Sequence, residues 1–352
     1  MKKKSIGIIG GGLTGLTAAY YLQKEGISTT IIEARGRLGG RIHTKYSDQE
    51  APIELGATWL GKKHTSLLQL LQDLGIDIFE QYMGTSAIYE PISTSPPQIV
   101  TMPYNPDPTY RIKGGSSQLI ESLVESHAKE SIHLNTIVKS ISHQKESILV
   151  DTTKKQFQFD TVIMTLPPRL FLDTIHCHPS LPEEFVELGK NTHTWMSESI
   201  KVALTYDRPF WREDNKIGSI FSNTGLIPEM YDHTNFEHTK YALKGFINGG
   251  FAQTSKEERM TRVLAQLTKY FGTQAQNYLS YEELIWRDEQ FTHSDYDGFI
   301  LPHQNNGNPI LQSSFYDGRL LMGGSETANH HPGYMDGAVE SGRTLSQKIL
   351  SN

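Results

Sequence analysis

The sequence predicts an α/β protein with a Rossmann-like domain and a second, α+β domain that is interleaved with the first along the chain. Two blocks carry this prediction, one near each end. Residues 5–24 contain a short apolar strand, a glycine-rich turn and a helix, and residues 320–349 contain an apolar strand, a glycine pair and a final helix. Strands that alternate with helices in this way indicate a mostly parallel sheet covered by helices.

The N-terminal block has the spacing of a βαβ unit that binds a dinucleotide. We predict a strand over residues 5–9, a helix over 16–24 and a second strand over 27–32, which ends at Glu33. The helix N-terminus offers free N–H groups to phosphates, and the acid can accept hydrogen bonds from a ribose. A lone glycine turn would be weak evidence, but here all parts are in register. The G-x-G-x-x-G pattern is formed by Gly10, Gly12 and Gly15.

A basic run continues directly from Glu33. Residues 33–41 read E-A-R-G-R-L-G-G-R. Guanidinium groups bind phosphate oxygens well, although a lone pair of arginines is more often part of a solvated loop. The run resembles the E-A-R-x-R-x-G-G-R stretch of the FAD-dependent amine oxidase family, to which the monoamine oxidases belong. In that family the first arginines and the last one lie along the ribose and pyrophosphate of FAD.

The C-terminal block resembles the same family. A predicted buried strand, Leu320–Met322, is followed by G-G-S-E-T-A at 323–328 and by G-Y-M-D-G-A-V-E-S-G at 333–342. This resembles the G-T-E-T-A…G-Y-M-x-G-A-V-x-S-G block that closes the flavin site in amine oxidases. A helix N-terminus beside the flavin favours the negative charge that gathers there on reduction. The alternative is an ordinary strand–loop–helix with small residues for packing.

Two further stretches suggest catalytic residues. S-I-K-V at 199–202 resembles the family stretch whose lysine reaches through a water toward flavin N5, which would give Lys201 that role. The stretch from Trp286 to Tyr296 resembles the one whose tyrosine forms one wall of an aromatic cage, with Tyr334 as the opposite wall. The alternatives are a solvent-facing lysine on an edge strand and tyrosines that serve only in packing.

The resemblance implies FAD as the cofactor. Mammalian monoamine oxidases attach FAD through a cysteine just before the first cage tyrosine, but Asp295 stands at that place, so we expect non-covalent FAD. No metal is expected, because His176 and His178 have no second pair of ligands. The expected cofactor-binding residues are Gly10, Gly12, Leu13, Thr14, Gly15, Glu33, Ala34, Arg35, Gly39, Gly40, Arg41, Gly56, Ala57, Thr58, Trp59, Val138, Gly324, Glu326, Gly333, Tyr334 and Met335.

The resemblance also implies a GR2-type flavoprotein that oxidises an amine by hydride transfer to flavin N5. O₂ would be the acceptor, and the products would be an imine, then an aldehyde, and H₂O₂. The nearer alternative is a related flavin desaturase or protoporphyrinogen-type oxidase. The more distant alternative is a module that binds FAD without turning over an amine.

We expect the FAD-binding domain to comprise residues 1–82, 111–180 and 290–352, and the substrate domain to comprise 83–110 and 181–289. Typical family members are longer, and the missing part falls largely around residues 83 to 110. Six prolines between residues 90 and 109 indicate an irregular surface excursion there. We therefore expect a reduced cover over the flavin, or cover from a second copy in a homo-oligomer.

Composition excludes several classes of partner. A net charge of −6 offers no basic field for nucleic acid. No apolar run approaches the ~20 residues that a membrane span needs, so we expect no membrane association. Cys177 is the only cysteine, which favours a cytoplasmic protein without an internal disulfide.

Overall fold

Residues 4–125, 127, 131–213, 216–296 and 298–351 are described by the computed structural model. Their strands form five sheets, of which the six-stranded and the seven-stranded sheets are the largest. The sequence also predicts a helix over residues 118–128, and the end of this segment lies partly outside the described residues. Within the described part of the chain, none of the helices combines the length and the apolar composition needed to cross a bilayer.

The six-stranded sheet is the predicted Rossmann-like sheet. Its strands are parallel except at one edge, where the last pair is antiparallel. The N-terminal strand and the strand of the C-terminal block flank the same central strand, so the two ends of the chain share one sheet. From edge to edge the strands are β10 (Ile132–His133), β2 (Thr29–Ile32), β1 (Ile6–Ile9), β14 (Thr161–Met164), β22 (Leu320–Met322) and β21 (Ser314–Phe315).

Four helices pack together with residues of this sheet in one apolar core. The N-terminal helix, α1, and the C-terminal helix, α7, form the most extensive helix pair. Helix α1 begins at Leu13, earlier than predicted. Buried leucines at helical spacing, among them Leu16, Leu67 and Leu119, join Ile8 of the sheet in this core. The helices are α1 (Leu13–Lys24), α2 (Thr65–Asp73), α3 (Ser117–Glu125) and α7 (Met335–Leu350).

A second core joins residues of the same sheet to a four-stranded sheet and two short helices. Val162 of the central strand packs here with Ile141 and Phe171. The four-stranded sheet has the order β13 (Gln156–Phe159), β12 (Ser147–Thr152), β11 (Val138–Gln144) and β15 (His176–His178), and the helices are α4 (Pro168–Thr174) and α5 (Glu183–Lys190). The sequence analysis assigned residues 181–190 to the substrate domain, but Phe185 of α5 is buried in this core.

The seven-stranded sheet belongs to the predicted substrate domain. All of its neighbours are antiparallel except one parallel pair, and α6 (Lys256–Phe271) packs against it through Val263 and Leu267. From edge to edge the strands are β20 (Ser280–Ile285), β16 (Ile200–Tyr206), β19 (Tyr241–Ile247), β18 (Glu229–Asp232), β17 (Ile217–Ser222), β7 (Ser86–Glu90) and β8 (Gln98–Thr101).

The expectation of an irregular excursion over residues 90 to 109 was wrong in part. Strand β8 lies within it and forms the edge of the seven-stranded sheet by pairing with β7. An edge strand with most of its residues exposed has little apolar alternation, so its pattern was weak. The prolines that suggested a loop flank the strand instead of interrupting it, as Pro97 and Pro103 do.

Two small sheets connect the large ones. β3 (Thr44–Lys45) pairs with β4 (Ile53–Glu54), and β9 (Tyr110–Ile112) pairs with both β5 (Trp59–Leu60) and β6 (Ile78–Glu80). Ile53 and Leu55 pack against Ala203 of β16. The N-terminal third of the chain therefore contacts the seven-stranded sheet through these residues.

A close contact between α1 and α7 predicts a stability effect. A Cβ atom at Gly342 of α7 would lie 2.6 Å from the Thr14 carbonyl oxygen and 2.8 Å from Thr17 Cβ of α1. We expect Gly342→Ala to lower the free energy of unfolding by about 1–3 kcal/mol, because the two helices must separate. Urea denaturation would measure this loss. The control is Gly61→Ala, where a Cβ atom would meet only Lys63 Cγ, at 4.0 Å; equal stability of the two variants would contradict the prediction.

Candidate active site

A cavity of about 630 Å³ opens beside the carboxyl ends of β1, β2 and β14. Its wall includes Gly10 after β1, Glu33 after β2 and Thr165 after β14. On another side the wall is formed by Lys201 and Phe246 of the seven-stranded sheet. This is the position at which open α/β sheets bind their ligands.

Two glycine-rich turns lie side by side in this wall. Gly10 has φ +105°, and a Cβ atom there would lie 2.5 Å from Thr165 Oγ1. The Gly39 N–H donates to the Gly11 carbonyl (2.8 Å), and a Cβ atom at Gly40 would lie 3.3 Å from Gly12 Cα. Gly12 is the N-cap of α1 and offers no side-chain acceptor, so the first N–H groups of this helix remain available for an anion.

Gly15 does not line the cavity. A Cβ atom there would lie 2.1 Å from the Gly10 carbonyl oxygen and 3.0 Å from Ile8 Cγ2. Its role is the close packing of α1 on β1 that the glycine pattern predicts.

The Glu33 carboxylate lies in the wall and holds two turns of the chain. It accepts hydrogen bonds from the N–H groups of Gly11 (2.7 Å) and Arg35 (2.8 Å), and the residue is 5% exposed. Because a carboxylate has about four acceptor sites, capacity remains for a ligand hydroxyl.

The three arginines of the basic run have different partners. Arg35 lines the cavity, but its guanidinium is paired with Glu289 (2.9 Å) and donates to Thr292 Oγ1 (2.7 Å). Arg37 donates to the carbonyls of Gly40 (3.1 Å) and Ile42 (3.2 Å), so it fixes the second glycine turn. The basic run therefore holds neighbouring segments of the wall in place and also contributes positive charge.

Arg41 joins the two ends of the chain. It lines the cavity and makes a two-pronged ion pair with Glu326 of the C-terminal block, at 2.6 and 2.8 Å. Arg41 also donates to Ser325 Oγ (2.7 Å). Burial by itself would raise the pKa of Glu326, but Arg41 and Ser325 outweigh it and lower that pKa. Glu326 and Gly324 were expected to touch the cofactor, but both lie outside the wall, and Glu326 acts through Arg41.

The N-terminus of α7 also faces the cavity. Tyr334 is its N-cap, and Tyr334 and Met335 both line the wall. The first-turn acid, Asp336, does not cap the helix; it accepts hydrogen bonds from the Leu67 N–H and from His331 Nδ1 (both 2.8 Å). Gly333 has φ +87°, and a Cβ atom there would lie 2.8 Å from Trp195 Cβ. The cavity therefore receives the positive ends of two helices.

Lys201 lies inside the seven-stranded sheet, because β16 is flanked by β19 and β20. The residue is 5% exposed, lines the cavity, and places its ammonium group 4.2 Å from the centre of the Phe246 ring. Burial lowers the pKa of Lys201 to about 8, although a hydrogen bond with Lys244 and the charge of Glu54 act in the opposite direction. The alternative of a solvent-facing lysine on an edge strand is wrong.

Tyr296 and Tyr334 do not form the expected pair of walls. Tyr296 is absent from the cavity wall, and its hydroxyl donates to Glu198 (2.8 Å) while the Arg169 guanidinium lies 5.0 Å from its ring centre. Burial and Glu198 raise the pKa of Tyr296 to about 12. Polar partners outside the cavity therefore hold this ring.

The aromatic neighbours of Tyr334 are different residues. Trp195 and His303 stack at 3.8 Å, and each ring centre lies 5.7 Å from that of Tyr334. His64 approaches from another side, at 5.8 Å. Tyr334 itself is 40% exposed, so this cluster stands at the mouth of the cavity.

Sequence reasoning missed several wall residues. The segment after β14 could have been found, because that strand was predicted and its carboxyl end must lie beside that of β1. Trp195 and Phe246 carried no such signal. The missed wall residues include Thr165, Leu166, Pro167, Trp195, Met196, Phe246, Trp286, Gln290, Phe291, Thr292 and Ser325.

Neither a cysteine nor a metal cluster is part of this cavity. Cys177 lies on β15, away from the wall, and burial raises the pKa of its thiol to about 11. Among the residues that the structure describes, no group of three or more His, Cys, Asp or Glu side chains could hold a metal ion.

The wall has the partners that FAD requires. The N-terminus of α1 and the paired glycine turns suit a pyrophosphate, and Glu33 suits a ribose. The N-terminus of α7 and Lys201 can stabilise negative charge on a flavin ring. Val138 and the turn from Gly56 to Trp59, which were expected to touch the cofactor, also line the cavity.

Known proteins share this sequence pattern over the whole chain. The family described as flavin containing amine oxidoreductase matches residues 13–95 and 97–350. A probable flavin-containing monoamine oxidase A of Dictyostelium discoideum is 24% identical over 450 aligned positions, which cover 97% of this chain and 96% of the relative. The flavin-containing amine oxidase B of Homo sapiens is 24% identical, with 99% of this chain and 86% of the relative covered.

Solved structures share the fold. Wild-type putrescine oxidase bound to putrescine has a TM-score of 0.86 and 23% identity, and cyclohexylamine oxidase from Brevibacterium oxydans has a TM-score of 0.86 and 18% identity. In both cases 99% of each chain is covered. Because the family pattern spans nearly the entire sequence, the protein belongs to the flavin containing amine oxidoreductases and is an FAD-dependent oxidoreductase.

Proposed function

We propose that the protein oxidises a small amine, with O₂ as the final electron acceptor. The observation that carries this proposal is the convergence of two helix N-termini and the buried Lys201 on one cavity wall. When bound, FAD would supply the redox chemistry, which is uptake of a hydride from the carbon next to the amine nitrogen followed by reoxidation by O₂. The imine product hydrolyses to an aldehyde or ketone, and O₂ becomes H₂O₂. The family match does not favour the desaturase or protoporphyrinogen-type alternative.

The side chains and backbone of the protein position the bound groups and place positive charge in a partly buried wall. The N-termini of α1 and α7 place positive dipole ends along the wall. Lys201 is 5% exposed and lies beside the rings of Trp59 and Phe246, so its charge acts at low dielectric. Lys201 carries that charge below a pH of about 8.

The wall favours a monoamine with an apolar body. Among the described residues that line the cavity, Glu33 is the only carboxylate, and it is already bonded to two backbone N–H groups. A second ammonium on the substrate would need a buried carboxylate of its own. Near Lys201 and Tyr334 the wall instead offers the rings of Trp59, Trp195 and Phe246.

We further propose non-covalent FAD, a cytoplasmic location and a reduced cover over the flavin. FAD binds without a covalent bond, because the only cysteine is outside the cavity wall. Cytoplasmic residence agrees with the single free cysteine. The alignment with the Dictyostelium relative extends over 450 positions, whereas this chain has 352 residues. The relative therefore has segments without a counterpart here, which supports a reduced cover over the flavin.

The first test is reduction of FAD by amines in the absence of oxygen. We expect benzylamine or 2-phenylethylamine to bleach the visible band of the bound flavin, whereas benzyl alcohol, which lacks the nitrogen, leaves it unchanged. We expect putrescine to react more slowly, because the wall lacks a carboxylate for its second ammonium. Stopped-flow absorbance would measure these rates. Faster reduction by putrescine would contradict the monoamine assignment alone, and no reduction by any amine would contradict the proposed function.

The second test concerns the ion pair between Arg41 and Glu326. We expect Glu326→Gln to lower the free energy of unfolding by about 3–5 kcal/mol and to weaken FAD retention, because the guanidinium loses a buried partner. The pKa of Glu326 is lowered in the folded protein, so its stabilisation is present at neutral pH and is lost as the pH falls through that pKa. The difference between wild type and variant should shrink on acidification.

Urea denaturation at several pH values and the ratio of flavin to protein after gel filtration would check this. Glu340→Gln is the matched control, since its partner His330 is 79% exposed. Wild-type stability and flavin content in Glu326→Gln would refute the role of the pair.

The third test distinguishes bound from covalently attached FAD. We expect all of the flavin absorbance to remain in the supernatant after the protein is precipitated with acid, because no cysteine lines the cavity. Absorbance and mass spectrometry of the pellet would measure any flavin that remains attached to the protein. A protein mass increased by one FAD would contradict this prediction.

A further inference from the structure

A second lysine, which the sequence analysis did not single out, lies behind the cavity wall. Lys244 on β19 is fully buried, and its Nζ donates to Thr58 Oγ1 (2.7 Å). The same nitrogen lies 3.7 Å from the centre of the Trp59 ring. Lys244 does not line the cavity, but Thr58 and Trp59 do. It therefore supports the wall from within.

Lys244 and Lys201 occupy the same aromatic surroundings. In the register of β16 and β19, Lys201 is opposite Phe246 and Ala203 is opposite Lys244. The two lysines are thus diagonal neighbours on one face of the sheet. Lys201 lies 4.2 Å from the Phe246 ring centre and 5.7 Å from that of Trp59, and Lys244 lies 5.3 Å from the Phe246 ring centre.

The charged groups around the pair favour a single ammonium. Glu54 and Glu229 are the acidic neighbours of the lysines, although burial raises the pKa of Glu54, and Arg111 faces them with positive charge. His233 also faces them, but burial and Arg111 lower the pKa of this histidine well below its usual value, so it is neutral. Two ammonium groups at such short range in a buried site would repel each other strongly.

The two amines act on each other in opposite directions. Burial lowers the pKa of both lysines, but the contact with Lys244 raises the pKa of Lys201, whereas the contact with Lys201 lowers the pKa of Lys244. Burial and the charge of Lys201 lower the pKa of Lys244 well below its usual value. The positive charge therefore resides on the lysine that lines the cavity.

We propose that Lys244 is a positioning residue for the reaction with O₂: as a neutral amine it accepts a hydrogen bond from Lys201 and so keeps the single ammonium of the pair at the cavity wall. In that reaction O₂ takes two electrons and one proton from the reduced cofactor and one further proton from solvent, giving H₂O₂. A fixed positive charge stabilises the negative charge that develops on oxygen. This inference rests on O₂ as the acceptor in the proposed function, but not on an amine as the substrate.

The experiment measures reoxidation without any amine. FAD-loaded protein is reduced with dithionite in the absence of oxygen and then mixed with O₂ at a series of pH values between about 6 and 10. For the wild type we expect the rate to fall as Lys201 loses its proton, with a midpoint near pH 8. For Lys244→Met we expect the midpoint to lie about one unit lower, so that the rate near pH 8 falls several-fold and recovers at lower pH.

Three further variants separate this role from simple packing. Lys201→Met should be slow at every pH, because it has no amine to protonate. Lys244→Gln keeps a carbonyl acceptor for Lys201 and should have a midpoint closer to that of the wild type; it also serves if Lys244→Met folds poorly. Lys139→Met, at an exposed position on β11, should behave as the wild type.

The dependence of stability on pH provides a readout that involves no turnover. The unfolded chain binds a proton on Lys244 that the folded chain does not bind, so this residue makes the wild type gain stability as the pH rises toward the ordinary pKa of lysine. We expect that gain to be smaller in Lys244→Met, and unchanged in Lys139→Met, when FAD-saturated protein is unfolded with urea.

Several outcomes would overturn the proposal. They are a midpoint in Lys244→Met equal to that of the wild type, a rate in Lys244→Met that no pH restores, or reduced wild-type protein that does not react with O₂. An unaltered pH dependence of stability in Lys244→Met would also overturn it. Failure of amines to reduce the flavin would contradict the proposed function and leave this test intact.

Discussion

The ion pair between Arg41 and Glu326 requires the two ends of the chain to meet. Glu326 is completely buried, and a buried carboxylate is costly unless its partner is in place. The sheet imposes the same condition, because β1 and β22 both pair with β14. All strands of the seven-stranded sheet lie between these ends in sequence. This closure therefore requires the chain to return to the first sheet after it has built the second.

Closure also explains where the cavity lies. The glycine turns after β1 and β2 are fixed by local backbone geometry, as the 2.8 Å bond between Gly39 and Gly11 illustrates. The opposite wall comes from the seven-stranded sheet, which the chain builds during its excursion. Arg35 ties the two together, since its partners Glu289 and Thr292 lie where the chain returns from that sheet. Each segment supplies only a part of the cavity wall, and the site is complete only when both sheets are in place.

The sequence was most informative where a residue acts through its own backbone. Gly10 and Gly12 were predicted correctly to lie in a tight turn at a helix N-terminus, because that conformation depends on neighbours close in the chain. Tyr296 was placed wrongly, because the direction of its ring is decided by Glu198, far away in sequence. Lys244 was not detected for the same reason. Its importance depends on the register of β19 against β16, which no local pattern reveals.

The buried charges of this protein fall into two groups with different physical meaning. Those of Arg41 with Glu326 and of Arg259 with Glu283 are matched pairs, and each holds two segments together. The two lysines differ from these pairs, because two amines lie next to each other beside the cavity and burial lowers the pKa of both. A protein gains no stability from such an arrangement, since each buried amine prefers to be neutral. Unfavourable burial that persists next to a cavity wall is the usual mark of a functional site, and the proton that we propose for Lys201 places positive charge at that wall.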